Sequence, residues 1–199
     1  MSALSEAPLV PADDRATWRS WLAANHATAR GAWLVTWRRG HGPVLAYEDA
    51  VEEALCFGWV DSTAGRVDDR RSKLYFAPRK PGSGWAATNK ARVDRLLTAG
   101  MMEAAGIAAV ERAKADGSWT SLDAIEQGII PDDLAAALAA VPAAAANFEA
   151  FPKSARRAIL VWIAAAKRPE TRAARVRETA ERAARNERAN ERDQRSRAP

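Results

Sequence analysis

The chain has 199 residues, 48% of them hydrophobic, enough for a domain of ordinary size with a real core. Its single cysteine, Cys56, excludes an internal disulfide and any C-x-x-C metal or redox pair, and points to a reducing compartment. The net charge of +5 comes from residues 167–199, where eleven Lys or Arg stand against six Asp or Glu; the remainder carries nineteen of each sign and is neutral.

The opening MSALSEAPLVPADD lacks a basic region followed by an apolar one, and residues 1–12 read as a flexible N-terminus. The most apolar later stretch, IIPDDLAAALAAVPAAAANF, is cut by prolines and aspartates. A cytoplasmic protein with no membrane insertion is expected.

From residue 13 to 82 the pattern predicts an α+β part. Asp13 or Asp14 caps a helix running to about Asn25, with Trp18, Trp21 and Leu22 on one face. AWLVTWRR alternates as a strand, placing Trp33, Val35 and Trp37 on one side and Leu34 on the other. In YEDAVEEALCFG helical spacing returns through Val51, Ala54 and Leu55, with acids in the first turn and Gly58 as the stop. WVDS, RVDD and KLYFA then read as short strands separated by the turns STAG and DDRRS. Sequential strands joined by tight turns pair antiparallel, so the fold class is α+β, a small antiparallel β-sheet with two helices, followed by an α-helical C-terminal region.

Past PRKPGSG no strand pattern recurs. Helices are predicted near 84–99, 102–116, 120–127, 132–140, 143–150, 153–167 and 169–188, punctuated by Gly100, Gly117, Gly128, Pro131, Pro142, Pro152 and Pro169. The helical part, 83–185, is expected to share one core with 13–82, and 186–199 to be a disordered basic tail. In the last helix Ala173, Val176, Ala180 and Ala183 recur at mixed three and four spacing, and Glu178–Arg182 and Glu181–Arg185 can pair.

These residues resemble a known family. ALCFGWVDS, FAPRKPGSGWAATNKARVDRL, G…AAVERAKADGSW and WIAAAKRPETRAARV, in that order from Trp18 to Arg185, are similar to the YdeI/OmpD-associated family of bacterial proteins. The resemblance implies a link to bacteriocin protection and to envelope or peptide stress, and carries over no catalytic residue and no cofactor. Its landmarks here are Gly58, Trp59 and Asp61; Pro78 and Arg79; Ser83, Trp85 and Asn89; and Trp162, Lys167, Glu170, Thr171 and Arg172.

Chemistry is sparse. PRKPGSGW puts Arg79 and Lys80 beside two glycines and a cap at Ser83 just before a helix, the ingredients of an anion site; the plainer reading is a capped loop. Asp61, Asp68 and Asp69 could share a proton or a divalent ion, but Arg66, Arg70 and Arg71 stand beside them and aspartate commonly satisfies turn backbones. Cys56 reads as a small core residue, with His26 and His41 in loops and no ordered pair. Five of the eight tryptophans fall before residue 60 and could line a groove, although most must build the core.

The candidate ligand contacts are therefore Trp37, Trp59, Asp61, Arg79, Lys80, Ser83, Trp85 and Asn89, for a peptide or small anionic ligand, with no metal or cofactor implied. Two other readings are an enzyme using Asp61 with Arg79 or Lys80, and a nucleic-acid accessory protein acting through the basic last helix. The second is disfavoured by interleaved acids and missing aromatics.

Overall fold

A computed structural model describes residues 3–190, which form two units divided between Ser121 and Leu122. In the first, β1 (Leu9–Pro11), α2 (Arg15–Asn25) and β2 (Ala32–Trp37) follow a short helix α1 (Ala3–Glu6). Next come α3 (Tyr47–Cys56), β3 (Trp59–Arg66), β4 (Arg71–Pro78), α4 (Ala87–Thr98) and α5 (Ala104–Ala115).

The α+β class holds, but the sheet is mixed. Its order is β1-β2-β4-β3, with β2, β4 and β3 antiparallel and β1 parallel to β2, Val10 opposite Leu34. The reason is the helix between them: parallel neighbours need a crossover, and α2 supplies it. Residues 9–11 are thus an edge strand within the stretch expected to be flexible; Met1 and Ser2 of that stretch lie outside the described residues.

β3 runs through the STAG expected as a turn, absorbing the irregularity as a bulge between Asp61 and Ala64. RVDD is no strand: residues 67–70 are the hairpin turn. Asp68 pins it, its Oδ1 accepting from the backbone N–H groups of Arg70 (2.9 Å) and Arg71 (2.7 Å). Those contacts and the Arg71 guanidinium, whose bond is the largest cause, hold its carboxyl below the ordinary range.

Trp18 and Leu22 are fully buried as the spacing predicts, Trp21 stacks on Trp18 at 5.4 Å, and Trp18 Nε1 donates to Ala50 O. The N-cap is Asp14, accepting from Thr17 N at 2.7 Å. Leu34 and Phe76 join the core with these helices, while Trp33 sits edge-on to Tyr75 beneath Lys73. Val93, Leu96, Val110 and Ala113 enter the same core, so α4 and α5 complete the first unit and the change from strand to helix near residue 83 is no boundary.

Helix α3 also buries an acid. Glu53, 1% exposed, receives Arg15 Nε and, at 2.7 Å, Arg19 Nη1; Arg19 reaches on to Glu103 and Arg15 to Asp49. Removing one partner of a buried pair leaves an uncompensated charge, at a cost of about 3–5 kcal/mol. Arg19→Ala leaves Glu53 with Arg15 alone and is expected to lower the urea midpoint by the equivalent of roughly 2 kcal/mol, whereas removing Arg15 as well should reach the full penalty.

The second unit is helical: α6 (Asp123–Glu126), α7 (Asp132–Ala140), α8 (Ala144–Ala150), α9 (Lys153–Ala164) and α10 (Pro169–Ala184). Leu134, Leu138, Phe148, Ile159, Ile163, Val176, Ala180 and Ala183 form its own core. Of the stretch expected as a disordered tail, Ala189 is 3% exposed and belongs to that core while its neighbours in 186–190 are exposed; 191–199 lie outside the described residues. No helix among the described residues is long and apolar enough to cross a membrane.

Candidate functional site

Beyond Pro78 the chain leaves the sheet, and Arg79 N donates to Gly58 O at 2.9 Å. Gly58 adopts a left-handed conformation to end α3, which presents that carbonyl. The anchored backbone carries a buried guanidinium. Arg79 is 8% exposed and lies 3.8 Å over the Trp85 ring, its Nη2 donating to Gly84 O at 2.7 Å.

That is its whole set of hydrogen bonds among the described residues. Nε is enclosed without an acceptor, and no carboxylate pairs with the group. Burial therefore lowers its pKa to about 10, opposed only by the charge of Asp61. Beside it is a cavity of about 10 Å³ whose lining includes Arg79, Lys80, Gly82, Trp85, Arg112 and Asp116. Such a space holds about one water-sized atom.

The surroundings are aromatic and cationic. Trp119 tilts against Trp85 at 5.0 Å, and the ammonium groups of Lys90 and Lys114 each lie 5.4 Å from the Trp119 ring. Next to this stands a polar cluster from α3, β3 and α4. Tyr47 OH donates to Asp61 Oδ2 at 3.0 Å, and burial together with that carboxylate pushes the phenol pKa up. Arg92 donates to Asn89 Oδ1 at 2.7 Å and to Glu48 at 2.6 Å, holding the Glu48 carboxyl below its usual range.

The structure thus gathers Asp61, Arg79, Trp85 and Asn89 into one region of the first unit. Trp37 is elsewhere: it pairs in register with Arg71 at the far end of β4, roughly 23 Å along the strand from Pro78. Trp59 is 1% exposed, edge-on to Trp21, with Nε1 on His26 O, and is core. Lys80 is exposed. Ser83 does not cap α4, whose N-cap is Ala86; its hydroxyl donates to Lys80 O at 2.7 Å.

Nor is the loop a nest of vacant donors. Gly82 N donates to Asp116 Oδ2 and Ser83 N to Lys80 O, so any anion site here belongs to the Arg79 side chain. Arg92, Arg112 and Trp119 lie within the family-like motifs without being among their landmarks, and Tyr47 lies outside them; the fold brings all four in. Cys56 is fully buried, and burial pushes its thiol pKa up, away from a nucleophile. Among the described residues no group of three His, Cys, Asp or Glu gathers as for a metal ion.

Several cations of the basic last helix have partners, while Arg177 is exposed. Arg172 pairs with Asp133 at 2.7 Å, Arg175 donates to Trp162 O with its guanidinium 4.9 Å from that ring, and Arg182 pairs with Glu178 at 3.2 Å. The partner of Arg185 is Glu187 rather than Glu181.

Compared with known proteins, residues 10–109 match the family model of a domain of unknown function, DUF8412, which takes in Asp61, Arg79, Trp85 and Asn89. Residues 127–186 match the model described as bacteriocin-protection, YdeI or OmpD-associated, a narrower span than the motifs from Trp18 to Arg185 imply. No curated protein and no solved structure matches the chain. The chain belongs to the DUF8412 family, through its first unit, and carries behind it a segment of the YdeI/OmpD-associated, bacteriocin-protection type.

Proposed function

We propose that the first unit is a receptor for a small anion or for the anionic tip of a peptide-like ligand, gripped by Arg79 above Trp85, in a cytoplasmic stress-protection protein. The observation that carries this reading is the buried guanidinium whose Nε has no acceptor and which no carboxylate touches, Asp61 acting on it only from a distance. Burying a charge without a partner is costly, and a site that keeps one supplies a place for the opposite charge. The cavity admits a single oxygen of a carboxylate or phosphate, so the body of the ligand lies outside it, against the side chains of the rim.

Binding comes without turnover in this reading. Supporting a holding role over an acid and electrostatic pair, the Asp61 carboxylate accepts from Tyr47 and Lys80 is exposed. The test is thermal unfolding against acetate, inorganic phosphate and N-acetylated tripeptides at constant ionic strength. A ligand of the native state must raise the midpoint. One of these anions is expected to do so beyond chloride, with the effect lost in Arg79→Met. Equal shifts with chloride, or a shift surviving Arg79→Met, would overturn it.

A further inference from the structure

The second unit holds a cavity of about 420 Å³ formed by α6, the loop after it, α8 and the start of α9. Its floor is apolar: Ile125, Ile130, Phe148 and Leu160. Its rim is basic, with Lys153, Arg156 and Arg157 against the single carboxylate Glu126. Arg157 is spent on Glu126, at 2.6 Å. Lys153 and Arg156 pair with no carboxylate among the described residues.

The placement of those cations runs against helix electrostatics. The start of a helix carries positive partial charge and unsatisfied N–H donors, which favour acidic residues there. α9 begins at Lys153, has no acid in its first turn, and sets Lys153, Arg156 and then Arg157 on that end. α7, by contrast, opens on Asp132 and Asp133. Such a conflict between local rule and sequence marks functional positions. A bound anion resolves it, gaining the two unpaired cations, Lys153 and Arg156, and the α9 dipole at once.

Size and floor define the rest of the ligand. A volume of about 420 Å³ is that of a small-molecule site and far exceeds what a bare phosphate or acetate would fill. We infer that this cavity binds a carboxylate attached to an aliphatic body, with the head on Lys153 and Arg156 at the start of α9 and the body over Phe148 and Leu160. Two sources present that chemistry: a medium-chain fatty acid, and a peptide whose C-terminal residue is apolar. The site stands apart from Arg79 and does not rest on the anion reading of the first unit.

Calorimetry on the full chain tests it with octanoate, N-acetyl-Ala-Ala-Leu, octanol and acetate. Octanoate or the peptide is expected to bind at least tenfold tighter than octanol and acetate, and the stronger of the two names the source. In Lys153→Glu/Arg156→Glu the affinity should fall at least tenfold, with unfolding unchanged as the check on folding, and Arg79→Met should bind like the parent. Should the double variant lose its cooperative unfolding, Arg156→Gln, with an expected loss of threefold or more, takes its place. Equal binding of octanol, no binding of either carboxylate, or unchanged affinity in the folded charge variants would overturn the inference.

Discussion

Gly106→Ala is expected to destabilise the first unit more than any other single methyl group added to it. A Cβ built at Gly106 would lie 2.2 Å from Cys56 O and 2.7 Å from both Cys56 C and Leu55 O. These are backbone atoms at the end of α3, so no side chain can swing aside. Relief requires α5 to withdraw from α3, loosening Val110 and Ala113 in the core as well as Gly58, which lies against Ala105 and Ala109. Overpacking alone costs about 1–3 kcal/mol, and moving a helix exceeds that range, so roughly 4 kcal/mol is expected. Urea unfolding checks it. A loss below about 1 kcal/mol would show that α5 can shift without cost.

Arg79→Met is expected to act the opposite way, stabilising the ligand-free protein while removing anion binding. The guanidinium's folded-state pKa, about 10, lies below its ordinary value, so the folded state disfavours the charged form. Below pH 10 both folded and unfolded chains are protonated and the penalty is complete. As pH rises through about 10 the folded protein sheds its proton first, and the penalty fades. The displacement corresponds to roughly 3 kcal/mol at neutral pH.

Methionine escapes that cost and keeps an unbranched apolar stem over Trp85. It forfeits the contact with the indole and the bond to Gly84 O, together about 2 kcal/mol. A net gain of about 1 kcal/mol at pH 7 remains, narrowing above pH 10. A loss of 2 kcal/mol or more on substitution would make Arg79 a staple of the loop instead of a receptor. Stability and binding then move in opposite directions in one variant, the mark of a residue retained for what it holds.

Much of this architecture is legible in the sequence because it is periodic. Trp18 and Leu22 on α2, the alternation of β2, and the succession of helices bounded by Gly100, Pro131, Pro152 and Pro169 all follow from spacing and breakers. What escapes is short or distant. β1 is three residues ending in proline, below any pattern's reach, and its parallel pairing follows from a crossover rather than from local propensity.

STAG looks like a turn because its residues are small and polar; a bulge lets them stay in β3. Glu53 looks like surface because only the folded chain brings Arg15 and Arg19 over it. At the candidate site, Arg79, Trp85 and Asn89 sit in one motif and are readable together. Arg92 follows in that same motif one helix turn on, whereas Tyr47 and Trp119 reach the site from outside it and need the fold.

The two margins of the sheet also decide how a peptide can be held. One margin is β1, three residues long and closed by Pro11, which has no N–H to offer; the other is β3, twisted off register by its bulge. Neither presents the long flat row of donors and acceptors on which a foreign strand could zip, so strand addition and sheet-to-sheet polymerisation are both discouraged. The sheet of the first unit therefore offers side chains, not a backbone edge, as its contact surface.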